Sequence, residues 1–400
     1  MTAAETPFAT TRIPSNAFRL LSPDGTVTAL ALAEHPQHTR PTTPLRSRVA
    51  YAAAHVIPRA AAENTPGSPA DIDWDATLAY RHHVWSWGLG VADAMDTAQR
   101  NMGLDTRATR ELITRSAAEA RSVGGALVVG VNTDHSEEDQ LSLAQVIDAY
   151  VEQLEFAEDA GADVVLMASR HLARAATSPS DYTRVYAAVL ERASKPVILH
   201  WLGEAFDPQL SGYFGSRDWR VAKDTVLQII STNPDRVAGI KMSLLDPESE
   251  ISVRSLLPNE SRMFTGDDFN YVSLIAGDGA AHSDALLGAF TAIAPQASAA
   301  IQALDRNEPG SYTSILGPTE PLSRQIFAAP TFYYKTGIAF LSWLNGHQDS
   351  FSMIGGLHSA RSLPHLSEIV RLANECGALE RPELAAERWN ALLGLNGVTP

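Results

Sequence analysis

The sequence predicts an α/β fold built on a parallel sheet, and three short apolar runs carry that expectation. Pro196-Val197-Ile198-Leu199 leads to His200, Val237-Ala238-Gly239-Ile240 leads to Lys241, and Met263-Phe264-Thr265-Gly266 leads to Asp267 and Asp268. Each run suits a buried strand, and segments of helical or loop length separate one from the next. Strands that alternate with helices and end in reactive side chains place a site at the carboxyl edge of the sheet. Lys241 is the most informative of these residues. An ammonium at the polar end of a buried strand must be paired, or its pKa must fall. A lysine with a lowered pKa is a nucleophile for carbonyl compounds. The plainer reading is a lysine that caps the strand and reaches solvent.

The run Gly239-Ile240-Lys241-Met242-Ser243, the preceding Pro196–Leu199 and the following Thr265-Gly266-Asp267-Asp268 resemble the dihydrodipicolinate synthase and N-acetylneuraminate lyase superfamily. The likeness extends from about Ser47 to about Gly377 and points to a divergent branch. It implies a (β/α)8 barrel with an extra C-terminal helical region, and a lysine that forms a Schiff base with a 2-keto acid or related carbonyl compound. The expected division is an N-terminal extension over 1–46, the barrel over 47–295 and C-terminal helices over 296–400.

In the extension, Ala17–Leu21 and Thr26–Leu32 flank the turn Ser22-Pro23-Asp24-Gly25. They read as a β-hairpin that covers the bottom of the barrel or meets a partner subunit. His35–Pro44 is a Pro- and Thr-rich linker. Barrel strands are expected within Arg48–Pro58, Gly90–Asp96, Ala126–Asn132, Asp163–Ala168, Pro196–Leu199, Val237–Ser243, Arg262–Thr265 and, least clearly, around Gly279–Ser283. Between them, Asp71–Asp75 caps a helix that runs to Trp87, and helices follow over Asp105–Ser122, Leu143–Ala160, Ser180–Ala193 and Asp224–Thr232. Beyond Asp284 the chain reads as helical, best over Leu286–Arg306, Pro321–Gly346 and Leu363–Cys376.

The pocket follows from this frame. Lys241 supplies the amine. The resemblance puts a tyrosine where this chain has His200, and an imidazole there can act as the proton shuttle. The family's Gly-Thr-Thr-Gly-Glu loop is replaced by a segment containing Asp96, Thr97 and Arg100, and its Pro-Tyr-Tyr loop by Ser169, Arg170 and His171. These changes argue against dihydrodipicolinate synthesis itself and favour a hydroxyl-bearing keto acid or keto-sugar. Asp96 suits hydroxyls, Thr97 donates a hydrogen bond, and Arg100 and Arg170 pair with an acid group. Asp267 and Asp268 follow the seventh strand as substrate contacts or as a turn that stabilises itself. His171 and His282 would also face the mouth.

The expected function is therefore a class I lyase or aldolase with no cofactor beyond the covalent imine. One alternative is a metal-dependent isomerase, epimerase or lyase, with a divalent ion held by His171, His200, His282, Asp96 and Asp267. Another is a non-catalytic barrel that binds a small molecule. The 400 residues suffice for a barrel with insertions, and 45% hydrophobic content suffices for its core. A net charge of −15 argues against a nucleic-acid partner. The single Cys376 precludes an intrachain disulfide. Met1–Pro7 lacks the charged and apolar regions of a signal peptide, and no long apolar run predicts a membrane span, so a cytoplasmic protein is expected. By resemblance it would be a homo-oligomer, a dimer or tetramer.

Overall fold

The computed structural model describes residues 17–398; the reading of Met1–Pro7 lies outside them. Two strands, β1 (Ala17–Leu21) and β2 (Val27–Ala31), pair antiparallel as the expected hairpin. Eight more form a closed parallel barrel: β3 (Ala50–Ala53), β4 (Gly90–Asp93), β5 (Leu127–Val131), β6 (Asp163–Leu166), β7 (Val197–Leu202), β8 (Val237–Ser243), β9 (Arg262–Thr265) and β10 (Asp284–Leu287). They neighbour one another in chain order, and β10 returns to pair with β3. Helices connect the strands, and a helical region follows β10.

Alternation along each strand sorts the residues. Ala53, Ala92, Val128, Val165, Ile198, Phe264 and Leu286 point inward and, with Met95 and Met167, fill the barrel floor. Val91, Val129, Val164, Leu199, Ile240 and Met263 belong to the larger core between barrel and helices. The closing seam is held electrostatically. The buried Asp284 carboxylate accepts from Val49 N–H (2.7 Å), just before β3, and from Arg262 Nη1 (2.6 Å) on β9.

The helices begin where side chains can satisfy their free N–H groups. Asp73 caps Trp74–Ser86, Asp105 caps Thr106–Val123, and Ser142 forms a capping box with Gln145 ahead of Leu143–Asp159. One inter-element contact is fully desolvated. Arg81, on the first of these helices, donates to both carboxylate oxygens of Asp93 at the end of β4. Neither side chain is exposed. Ser116 Oγ (2.6 Å) and the Ala94 N–H (2.8 Å) also donate to the carboxylate, while Arg81 Nη1 donates to the carbonyls of His55 and Thr77.

Three expectations change. The eighth strand is Asp284–Leu287, so residues 284–287 are not the start of a helix; helices follow at Ala289–Ala292 and Ala294–Asp305. The helix expected over Pro321–Gly346 is two, Glu320–Ile326 and Tyr334–Leu344. Pro330 stands in the break, where it removes a backbone donor and disfavours helix at the preceding residue. The hairpin packs on the C-terminal helices: Arg19 N–H donates to Asn390 Oδ1 (3.0 Å), Leu21 N–H to Ser367 Oγ (2.7 Å) and Asn390 Nδ2 to Ala17 O (2.8 Å). These side chains occupy the backbone groups of β1 that a bare sheet edge would leave open.

Removing one partner of a buried ion pair strands the other. Asp93→Ala is expected to lower unfolding free energy by about 3–5 kcal/mol, measured by urea denaturation. A loss within the ordinary surface range would show that Arg81 reaches solvent.

Candidate active site

Lys241 lies near the carboxyl end of β8, in register with His200 on β7 and Phe264 on β9. Its side chain is buried in the barrel mouth, at 8% residue exposure. The backbone beside it approaches closely: a Cβ on Gly266 would lie 2.2 Å from Ser243 Oγ and 2.8 Å from Lys241 Cε. Only glycine leaves the amine stem its space. Among the described residues no carboxylate lies within salt-bridge distance of Lys241 Nζ. Burial pushes its pKa down, against the pull of Asp96 and Asp268.

Asp268 is, after Asp96, the second carboxyl whose charge bears on this amine. Burial raises it to about 7, against the Ala289 N–H that donates to it (2.8 Å) and the charge of Lys241. The amine is thus shifted towards its neutral form and the acid towards its protonated form. Asp267, its neighbour, turns away. It accepts from Phe269 N–H (2.9 Å), Asn270 N–H (3.1 Å) and Asn270 Nδ2 (2.9 Å), and so holds its own loop.

His200 is fully buried, and its Nε2 meets Ser243 Oγ at 3.1 Å. Burial, reinforced by Lys241, pushes it well below the usual imidazole range. It is a neutral imidazole here, whose Nδ1 has no partner among the described residues. That weakens it as a base compared with the near-neutral shuttle expected from its residue type.

The loop after β4 brings Asp96 and Thr97 to the site on a short 3-10 turn, Asp96–Ala98. Three non-glycine residues around that turn have positive φ, Ala94 (50°), Gln99 (66°) and Asn101 (60°). Such strain persists only where the surroundings over-determine the backbone, and Arg100 does much of that. Its five donors are all engaged: Nε and Nη2 on Asp134, Nη2 also on Gln153 Oε1 (2.9 Å), and Nη1 on the carbonyls of Ala94 (3.1 Å) and Gly130 (3.0 Å). Arg100 therefore rivets the loop and has no donor left for a substrate acid. Asp134 is held below the usual carboxylate range by Arg100, against its own burial.

Two further groups come from the C-terminal region. Tyr334, at the start of helix Tyr334–Leu344, stacks on Phe327 (4.4 Å between centroids), and both rings pack on Gly288 just beyond β10. The Tyr334 hydroxyl meets Thr97 Oγ1 at 2.8 Å. Burial, with Asp96 and Asp268, raises this phenol well above its ordinary value, so it stays protonated. Lys335 is also buried. Its Nζ donates to Phe332 O (3.0 Å), and burial pushes it down to about 8 against the pull of Asp96 and Asp207. Asp96 therefore acts on both amines. Tyr334 and Lys335 were missed in the sequence, where they sit inside an apolar helical pattern. The chain has only four lysines, Lys195, Lys223, Lys241 and Lys335, and two are in this cluster.

The remaining expected residues divide. Arg170 binds Asp207 through Nε (2.6 Å), its two Nη groups have no partner among the described residues, and its charge bears on Lys335. His171 uses both ring nitrogens, on Thr133 Oγ1 (2.8 Å) and Glu138 O (2.9 Å), and braces the loops after β5 and β6. His282 does not face the mouth. The eighth strand begins after it, so it is exposed on the amino-terminal side, among Arg48, Arg254 and Arg262. The ring of His171, His200, His282, Asp96 and Asp267 is therefore not assembled. Among the described residues, the group of three donors close enough to share an ion is His83, His347 and Glu380, which includes none of them.

A family model described as a protein of unknown function, DUF993, matches residues 18–398, and the chain belongs to that family. No curated protein sequence matches it. Among solved structures, the dihydrodipicolinate synthase of Oceanobacillus iheyensis superposes with a TM-score of 0.61 at 14% identity, covering 86% of this chain and 97% of its own. The 4-hydroxy-tetrahydrodipicolinate synthase of Methylacidiphilum fumariolicum SolV gives 0.62 at 16%, covering 84% and 99%. The dihydrodipicolinate synthase of Thermotoga maritima gives 0.61 at 13%, covering 83% and 100%. The chain has the barrel fold of these enzymes. Among the described residues, no helix is long and apolar enough to cross a membrane.

With four lysines, selective 13Cε-lysine labelling gives four resolvable titrations by NMR. The Lys335 resonance is expected to titrate near pH 8, against about 10.4 for a free lysine side chain. Retention of its proton past pH 10 would show that the amine is solvated or paired.

Proposed function

We propose that this member of the DUF993 family is a Schiff-base-forming lyase or aldolase acting on a keto acid or keto-sugar-type carbonyl compound, with Lys241 as the nucleophile. The observation that carries the reading is a buried amine at the end of a barrel strand, without a salt-bridge partner among the described residues and pushed down by burial. Catalytic residues of such barrels sit at the carboxyl ends of strands.

The Lys241 Nζ lone pair attacks the carbonyl carbon, and the carbonyl oxygen takes a proton to give a carbinolamine. Loss of water then gives the imine. Once protonated, the imine accepts the electrons of the adjacent breaking bond and becomes an enamine. Cleavage, condensation and dehydration all pass through these intermediates. Asp268, raised to about 7, exchanges protons near neutral pH and is assigned the proton-transfer role. The Thr97–Tyr334 hydroxyl pair supplies a donor that stays protonated. Lys335 and the Nη groups of Arg170, which have no partner among the described residues, suit the substrate's acid group, and Asp96 suits a hydroxyl. His200 stays beside the amine as a neutral hydrogen-bonding group.

The test is borohydride trapping with a panel of pyruvate, hydroxypyruvate and keto-sugars, followed by peptide mapping. The adduct is expected on Lys241 and absent from Lys241→Arg. No adduct across the panel, or one confined to Lys195 or Lys223, overturns the reading.

Asp268→Asn separates imine formation from turnover. The charge of Asp268 raises the Lys241 pKa, so its removal is expected to move trapping to lower pH. Turnover, measured on whichever panel compound is trapped and consumed, is expected to fall by about 10²–10⁴-fold. Unchanged turnover would remove Asp268 from the proton transfers.

A further inference from the structure

A second cluster of ligating side chains lies outside the lysine site, on three segments remote in sequence. His83 is on helix Trp74–Ser86, His347 follows helix Tyr334–Leu344, and Glu380 precedes helix Pro382–Leu395. One donor atom from each lies within 4.8 Å of the other two. His347 Nε2 is 2.9 Å from Glu380 Oε1, and His83 Nε2 is 3.5 Å from that same oxygen. Two imidazole edges thus converge on one carboxylate oxygen. In a tetrahedral zinc site, bonds of about 2.0–2.1 Å place neighbouring donors about 3.3 Å apart, between these two distances, so the His347 pair opens slightly and the His83 pair closes slightly around an ion.

The surroundings hold the donors in place. Tyr80, one turn before His83, stacks on the His83 ring (5.7 Å, 24°) and meets the His347 ring edge-on (5.2 Å). The Tyr80 hydroxyl is itself fixed on Thr291 O. Glu380 N–H donates to Asn345 Oδ1 (2.9 Å), and Asn345 Nδ2 donates to Ala378 O (3.0 Å). The backbone that leads into Glu380 is thereby tied to the residue after helix Tyr334–Leu344. Side-chain exposures of 13% for His83, 19% for His347 and 28% for Glu380 leave one side open to solvent. Arg40 bears on the cluster as an opposing charge, which Glu380 offsets.

We propose that His83, His347 and Glu380 form a binding site for one divalent transition ion of the zinc class, with water as fourth ligand. Two imidazoles and one carboxylate with an open position suit zinc. The bound ion joins the first barrel helix to the C-terminal region. It sits beyond the far end of the helix whose first residues, Tyr334 and Lys335, enter the lysine site, about 16 Å away at 1.5 Å per residue. The ion therefore fixes the placement of that helix against the barrel.

The experiment is isothermal titration of the untagged, chelator-treated full-length protein with ZnCl2, with Co2+ absorption as a second reading. One equivalent is expected to bind, with the ligand-field bands of a four-coordinate nitrogen and oxygen site. His347→Gln and Glu380→Gln are each expected to weaken binding at least tenfold. Zinc at a hundredfold excess over Kd is expected to raise the wild-type Tm and leave that of the His83→Gln/His347→Gln double variant unmoved. Circular dichroism checks that each variant is folded. Absence of saturable binding in the wild type overturns the proposal whatever the variants do. So does binding that survives in folded variants. Neither outcome bears on imine trapping at Lys241, which is read separately.

Discussion

Burying an amine where no carboxylate can neutralise it directly is the constraint on which the site depends. A lysine ammonium loses several kcal/mol of hydration on such burial, and the protein meets that cost by disfavouring the charge. Lys241 and Lys335 both shift down, and Asp268 shifts up to about 7 for the same reason. The three are linked, because each carboxylate that keeps its charge raises the neighbouring amines. Asp96 reaches both lysines from a single position. The barrel makes this arrangement possible because its floor of apolar side chains excludes water from below, and the C-terminal residues cover it from above.

That cover is integral to the site. Ser323 Oγ donates to Asp268 O (2.6 Å), Gln99 Nε2 donates to Ile354 O (3.0 Å), and Tyr334 hydrogen-bonds Thr97. The loops after β4 and β9 are each tied to a C-terminal element, so loop and cover hold one another. Arg100 supports the same loop from the barrel side. An arginine near a mouth suggests anion binding, but one with five engaged donors is a structural rivet. Arg170 is the converse case, anchored through Nε with its Nη groups unpartnered among the described residues.

Much of the barrel was legible in the sequence because its strands are apolar runs bounded by strong turn signals. Asn233-Pro234-Asp235 and Asp246-Pro247 bracket β8, and β9 has the limits the sequence suggested. The eighth strand was not legible. Four residues, Asp284-Ala285-Leu286-Leu287, run into Ala- and Phe-containing sequence, and a run so short does not distinguish strand from helix. The resulting shift of a few residues carried His282 from one end of the barrel to the other. Lys241 and His200 were placed together because parallel register follows from strand ends. Lys335 was missed because its proximity to the charge of Asp96 joins residues far apart in the chain, and nothing in a local pattern encodes that separation.

The charge distribution also bears on what such a site would accept. With Lys241 shifted towards neutrality and Asp268 towards its protonated form, the groups most able to meet a charged or polar substrate are Lys335, Arg170 and Asp96. Arg170 already shares Asp207, whereas Lys335 is a buried amine with no carboxylate bound to it among the described residues. An acid group on the substrate would raise the Lys335 pKa and hold its proton, adding the attraction that burial alone withholds. A substrate without an acid group would leave that amine partly neutral near pH 8 and gain little from it. Asp96 imposes the opposite demand, since a carboxylate lying against it would be repelled while a hydroxyl would donate to it. On the proposed reading, a carbonyl compound with an acid at one end and a hydroxyl at the other would satisfy both demands, and a simple dicarboxylate would not.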